Sequence, residues 1–321
     1  MSKKTIIVLS VAAVLVLVGG IVFSSAMAAL HWDFSKLSTD KFVTNEYEIT
    51  EDFRALSIAV DTADVEILPS ENGRTRVVCY ESKKAFHSAL VQGETLTLRV
   101  NDTRKWYEHI GIQVETAKIT VYLPQNEYGD LRVQTDTSDV KISEDFTFKS
   151  VKIKGSTGDV DFKADTLETA AIKTSTGDIT VENISAKGLE LTTSTGDITV
   201  GRVNCAEDLG IHVSTGDSVV QNTLCQNLSS SGSTGDIRLE NTVAAEKMVL
   251  VRSTGHVHFQ KSDANEISVK TDTGNVKGTL RSDKVFFAES DTGSVTVPKT
   301  LTGGRCEITT DTGDVKIQIA S

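Results

Sequence analysis

The chain is poor in the residues that break or staple small folds, with three prolines, four cysteines and 6% aromatic residues in 321 positions. So little proline leaves long stretches free to form uninterrupted backbone ladders. Cys79, Cys205, Cys225 and Cys306 are too few for a disulfide scaffold at this length, and they lack the paired close spacing of a zinc site. Basic residues are also short, 33 against 44 acidic ones, for a formal net charge of -11. No nucleophile motif, paired catalytic acid or phosphate-binding loop stands apart from the rest of the sequence, which argues against an enzyme. What remains, with 39% hydrophobic residues and 23 glycines, is the composition of a folded protein.

One long apolar run is present. Residues Thr5 to Leu30 carry no charge and follow Lys3 and Lys4, and about 20 helical residues suffice to cross a hydrocarbon core. The two lysines place the amino end in the cytoplasm and everything after Leu30 outside the membrane. A cleaved signal peptide is the competing reading, because Ala26-Met27-Ala28 has the small-x-small form of a cleavage site. The run exceeds the ~7 to 15 residues of a usual signal core, which favours a single-pass anchor over secretion. With Lys3 and Lys4 set aside, 31 basic against 44 acidic residues leave the outer part at -13. That charge argues against nucleic acid or anionic lipid as its partner.

The dominant feature is a repeat. Motif glycines stand at Gly158, Gly177, Gly196, Gly216, Gly235, Gly255, Gly274, Gly293 and Gly313, in steps of 19 or 20. The phase extends upstream through Asp136-Thr137-Ser138-Asp139-Val140, Glu115-Thr116-Ala117-Lys118-Ile119 and Asp61-Thr62-Ala63-Asp64-Val65. Before each glycine, apolar residues or threonines alternate with a period of two, as in Leu189, Leu191, Thr193 and Thr195. In the two upstream coils the same positions are Leu56, Ile58, Val60, Thr62 and Ile110, Ile112, Val114, Thr116. The alternation breaks at Gly-Asp and resumes two residues on, as in Ile198 and Val200, so Gly-Asp is a corner. Glycine tolerates positive φ there, and Asp or Ser can close the corner onto nearby N-H groups. A stretch containing Ile184, Val203, Leu224, Val243 or Leu301 then returns to the next coil.

Coils of this length without helical pattern predict an all-β fold, a parallel β-solenoid of about twelve coils and on the order of 55 to 60 Å. The expected division is 1–30 as the anchor, 31–125 as a cap with irregular first coils, and 126–321 as regular repeats. The runs Thr75 to Tyr80 and Thr95 to Val100 read as a hairpin excursion over the open end, completed by Phe42 and Tyr47. At the other end Val315 to Ile319 reads as the terminal edge strand, open to self-association.

The Ser/Asp-Thr-Gly-Asp-Val/Ile units, the Ile119-Thr120-Val121-Tyr122-Leu123-Pro124 stretch and the N-terminal anchor resemble a bacterial domain-of-unknown-function family described as candidate adhesins. The resemblance covers roughly residues 40 to 320 and implies a surface-exposed β-solenoid with no catalytic residue.

In-register coils stack Asp159, Asp178, Asp197, Asp217 and Asp236 at ~4.8 Å, where like charges repel. Either each carboxylate accepts local N-H bonds, or the row gathers calcium. The first reading is favoured, because the column changes to His256, Asn275 and Ser294 and the Gly-Gly-x-Gly-x-Asp calcium pattern is missing. No metal or cofactor is therefore assigned. His256 and His258 share an outer face, with too few further ligands for zinc or copper. Cys205 and Cys225 stack in adjacent coils, within disulfide reach or as reduced core residues. The threonine rows lie on the buried phase, interrupted by Val213, Gly232 and Arg252, which argues against ice binding. Three functions remain: a non-catalytic surface module for wall glycan or protein, an envelope regulator or scaffold acting on a membrane partner, and, least favoured, a polysaccharide-active β-helix.

Overall fold

The computed structural model describes residues 2–33, 41–106 and 115–320. Ser2 caps the helix Lys3–Ala29 by accepting from the Thr5 N-H. Its apolar side chains are exposed all round, Val16 to 74%, and only Met27 is buried. A helix apolar on every face has no polar side to give water.

From Phe42 onward the named elements are strands, paired in two main ladders. In the first, Ile119, Val65, Val140, Val160, Ile179, Ile198, Ser218, Ile237, Val257, Val276, Val315 and Val295 lie opposite one another in succession. In the second the row is Leu98, Ile58, Val133, Ile153, Ile172, Leu191, Ile211, Ser230, Leu250, Val269, Ile308 and Ala288. All of these pairings are parallel, and the rows face each other across one core, as the period-two pattern requires. Each fully buried Val, Leu or Ile contributes ~1.5 to 3 kcal/mol of transfer free energy, so the rows are the main stabilising feature. The all-β solenoid expected from the repeat, preceded by one apolar helix, is the observed fold.

The strand Ala55–Ala59 pairs with Thr95–Asp102, Leu56 opposite Leu96 and Ile58 opposite Leu98. The expected partners Ile110, Ile112 and Val114 lie outside the described residues. Leu96 and Leu98 offer the same inward alternation, and such a pattern sets register wherever it occurs.

The excursion between the first two coils holds three strands rather than a two-stranded hairpin. Thr75–Ser82 lies antiparallel between Phe42–Ile49 and Lys118–Leu123. Ala85–Gln92 lies antiparallel to Thr95–Asp102. Both ladders thus end on reversed strands, which do not offer the parallel pairing pattern of the repeat.

On the returning side Ile184 and Val203 are buried, but Leu224 and Leu301 are exposed and Val243 is half-buried. The inward column continues instead through Thr223, Thr242 and Ser262. A second corner explains the shift, at Asn183, Arg202, Asn222, Asn241 and Lys261, all with φ between 48° and 58°. Asparagine tolerates this left-handed region better than most residues, so its recurrence is intelligible. Thr242 Oγ1 donates to the carbonyls of Val220 and Glu240, which makes a polar residue acceptable inside.

The carboxy-terminal expectation is overturned. Val315–Ile319 is not an edge, because it pairs on one side with Val276–Leu280 and on the other with Val295–Thr296. Likewise Gly304–Thr312 lies between Val257–Thr273 and Lys284–Thr292. The last coil in sequence is therefore the penultimate one in space. Val276, Val295 and Val315 are interchangeable at this position, so the inward pattern does not dictate stacking order. Lys284 Nζ reaches past the inserted coil to Asp263 Oδ1 at 2.7 Å, a buried ion pair that ties the outer coil down.

Candidate functional site

The corners come first, because the motif recurs there. Gly196 has φ +131°, and a Cβ on it would stand 2.2 Å from the Gly177 carbonyl oxygen. Gly158, Gly177, Gly216, Gly235, Gly255, Gly293 and Gly313 are also at positive φ, and a Cβ on Gly274 would stand 1.8 Å from Gly255 O. Glycine is needed for conformation and for the nearness of the next coil.

The aspartates form a continuous relay. The N-H groups of Asp159, Asp178, Asp197, Asp217 and Asp236 each donate to Oδ1 of the aspartate in the neighbouring coil, at 2.7 to 2.8 Å. The first of these acceptors is Asp139, whose own N-H donates to Asp64. Onward, His256 N donates to Asp236 Oδ1, Asn275 N to His256 Nδ1, Asp314 N to Asn275 Oδ1, and Ser294 N to Asp314 Oδ1. This order repeats the inversion of the last two coils. One oxygen of each ladder carboxylate thus accepts a charge-assisted bond within the stack. Arg238 bridges Asp217 Oδ2 at 2.5 Å and Asp236 Oδ2 at 2.7 Å, offsetting the repulsion there. Burial would raise the Asp217 carboxyl, but the Asp236 N-H and Arg238 outweigh it and hold it below the ordinary range. His256 serves the relay through Nδ1, while His258 is exposed beside it.

Three irregularities in the repeat meet in one place. Arg252 is 1% exposed and donates from Nη2 to Ser218 Oγ at 2.6 Å, from Nε to Gly235 O and from Nη1 to Val251 O. Its Nη1 lies 2.8 Å from where a Cβ on Gly232 would stand. Ser218, Gly232 and Arg252 are one buried arrangement spread over three coils. In other coils threonine takes the Arg252 role, with Thr193 donating to Gly177 O and Thr271 to Gly255 O.

All four cysteines are buried free thiols. Cys205 and Cys225 stand in register as the alignment of Asn204 with Leu224 requires, and Cys205 Sγ donates to Asp208 O.

Sequence reasoning missed a cluster in the excursion. Val77, Cys79 and Glu81 alternate inward on Thr75–Ser82, and His87 points inward from Ala85–Gln92. Glu81 Oε2 accepts from the His87 backbone N-H at 2.7 Å and lies 2.6 Å from His87 Nδ1, and Oε1 accepts from Asn45 Nδ2. Tyr47 donates to the His87 carbonyl. Ligand atoms of Cys79, Glu81 and His87 all lie within 4.8 Å of one another. His87 and Ser82 line a cavity of about 260 Å³ with Asp61, Thr62, Glu115 and Arg104. The signal in the sequence was an acidic residue at an inward position two residues after a cysteine.

Residues 53–207 match the family model Toastrack DUF4097. The Toastrack match runs from the strand at Ala55 into the regular coils, and it bears out the family resemblance read from the repeat. Among solved structures, a candidate adhesin from Parabacteroides distasonis is 12% identical with a TM-score of 0.47, covering 87% of this chain and 98% of its own. A candidate adhesin from Bacteroides fragilis is 14% identical at a TM-score of 0.38, covering 88% and 99%. A candidate lipid-binding protein from Parabacteroides distasonis is 12% identical at 0.43, covering 88% and 98%. No curated protein matches the chain.

Proposed function

We propose that this chain is a non-catalytic envelope protein. Its apolar helix anchors it with Lys3 and Lys4 on the cytoplasmic side, and the solenoid outside the membrane, acidic in sum, presents a varied surface to wall glycan or to a protein. The observation that carries this is the contrast between the two sides of one strand. Inward rows are nearly uniform, whereas the outward row next to them runs Lys154, Lys173, Thr192, His212, Ser231, Val251, Lys270, Thr309 and Glu289. A repetitive scaffold carrying a non-repetitive surface suits recognition by an extended face. The polar groups that repeat most strictly, the corner aspartates, each give one carboxylate oxygen to the next coil, which accounts for their recurrence structurally.

The test has two parts. Protease added to intact cells digests an epitope-tagged solenoid while the amino terminus stays protected; protection of the solenoid sinks the topology. The full chain in detergent micelles is then sedimented with isolated wall polymer and with membrane-protein extract. Failure to co-sediment with either removes the recognition reading.

An envelope regulator or scaffold is the second reading. It is favoured by the outer coil at the far end, where Phe287 is 52% and Leu301 93% exposed and the strand Lys284–Thr292 has one edge without a partner among the described residues.

A further inference from the structure

We propose that Cys79, Glu81 and His87 bind one zinc-class divalent cation in the reversed strands that close the solenoid. Val77, Leu96, Leu98, Ile119 and Val121 around them are apolar, and the buried polar neighbours Thr75, Ser82, Thr97 and Thr120 carry no charge, so packing gives no reason for a carboxylate and an imidazole here. Glu81 is 0% exposed and His87 4%. A carboxylate that accepts from two groups of His87 and one of Asn45 is held in a single orientation. Oε2 of that carboxylate and Nδ1 of His87 stand 2.6 Å apart and share one proton, and a cation taking the place of that proton meets both ligands at once. Nε2 of His87 is buried with no partner among the described residues and is open to take that proton, so the ring stays neutral when Nδ1 binds.

The donor set decides the class of ion. Thiol sulfur and imidazole nitrogen suit zinc and its neighbours, whereas calcium and magnesium take oxygen. Charge decides the rest. On binding, the Cys79 S-H bond breaks, the sulfur pair forms the metal bond and the proton leaves to solvent. Thiolate and carboxylate then cancel the two positive charges, and a neutral centre is far cheaper to bury than its separate ions. Zinc bonds of ~2.0 to 2.3 Å set ligand atoms ~3 to 4 Å apart, so Glu81 Oε2 and His87 Nδ1 open a little from 2.6 Å within a set whose atoms all lie within 4.8 Å. The adjoining cavity, with Asp61 and Glu115 on its wall, leaves room for water as a fourth ligand.

The experiment uses the full chain in detergent micelles, stripped with chelator and titrated with cobalt(II) and then zinc(II). One cobalt per chain with a thiolate-to-cobalt charge-transfer band in the near ultraviolet, displaced by zinc, is the expected result. The band is lost in Cys79→Ser, kept in the triple variant Cys205→Ser, Cys225→Ser, Cys306→Ser, and weakened at least ~10-fold in affinity by His87→Gln or Glu81→Gln. Absence of the band from the wild type overturns the proposal, as does its survival in Cys79→Ser. Should Cys79→Ser lose its β-sheet circular dichroism, the wild type and the triple variant decide. A folded triple variant without the band also overturns it.

Discussion

Replacing Gly196 by alanine separates the two demands made on a corner glycine. At φ +131° an L-residue sits where only glycine rests easily, a strain of about 1 to 3 kcal/mol. The new methyl would also stand 2.2 Å from Gly177 O and 2.6 Å from its carbon, backbone atoms fixed by the ladder. Forcing such a contact adds about 1 to 3 kcal/mol of overpacking. Two controls calibrate it. Gly73 is at φ +70° with nothing within 4 Å, so Gly73→Ala costs only the left-handed penalty of about 1 to 2 kcal/mol. Gly210 has no positive φ and a nearest atom at 3.7 Å, so Gly210→Ala is neutral or stabilising by up to about 1 kcal/mol. Guanidinium denaturation of the full chain in micelles, followed by far-ultraviolet circular dichroism, ranks the three. Gly196→Ala should fall furthest, by about 2 to 6 kcal/mol, with a thermal midpoint lower by on the order of 10 °C. A Gly196→Ala protein as stable as Gly73→Ala would refute the close-approach argument; one as stable as Gly210→Ala would refute both.

Arg252→Leu strands Ser218 Oγ inside the core and leaves space over Gly232, which should cost about 2 to 4 kcal/mol in the same assay. A double-mutant cycle with Ser218→Ala should return a coupling of about 0.5 to 3 kcal/mol, and additivity would show that the two do not act together. At the relay's histidine, His256→Ala removes an acceptor and loses about 1 kcal/mol, while His256→Asp restores the ladder aspartate and loses less; equal losses would discard the relay. Asp217 and Asp314 are both held below the ordinary aspartate range, Asp314 chiefly by the Ser294 N-H. Depressed folded-state values mean that their stabilisation is full above the unfolded pKa and is lost as pH falls through the folded one. Wild type and Asp217→Asn should therefore differ in melting temperature at neutral pH and converge below about pH 4, and a constant gap down to pH 2 would contradict the shift.

The solenoid was legible because each coil repeats an inward alternation that no other arrangement buries so regularly, and Leu189, Leu191, Ile198 and Val200 display it without exception. The corner aspartates were legible as bonding groups, since a row of like charges needs donors. What the pattern could not convey was order. The outer and inner coils at the carboxy end both present Val at the same position and differ only in which neighbour they meet. The second corner was hidden because its residue varies between Asn, Arg and Lys, so a shared backbone state had no shared letter. Ser218, Gly232 and Arg252 looked like three separate blemishes because they are 14 and 20 residues apart and become neighbours only when coils stack. Cys79, Glu81 and His87 lay in a stretch with no repeat to compare against.

The inverted coil at the far end constrains how the molecule is made. A chain growing from its amino terminus can lay each turn on the one before from Val140 as far as Leu280, the turn at Val140 resting on the first, at Val65, whose other side carries the turn at Ile119. The next turn, Lys284 to Thr296, finds its final neighbours only after Gly304 to Ile319 has been synthesised. Construction is therefore vectorial along the body of the stack and non-vectorial in its last step. A chain cut after Pro298 loses an inner layer while keeping the outermost one.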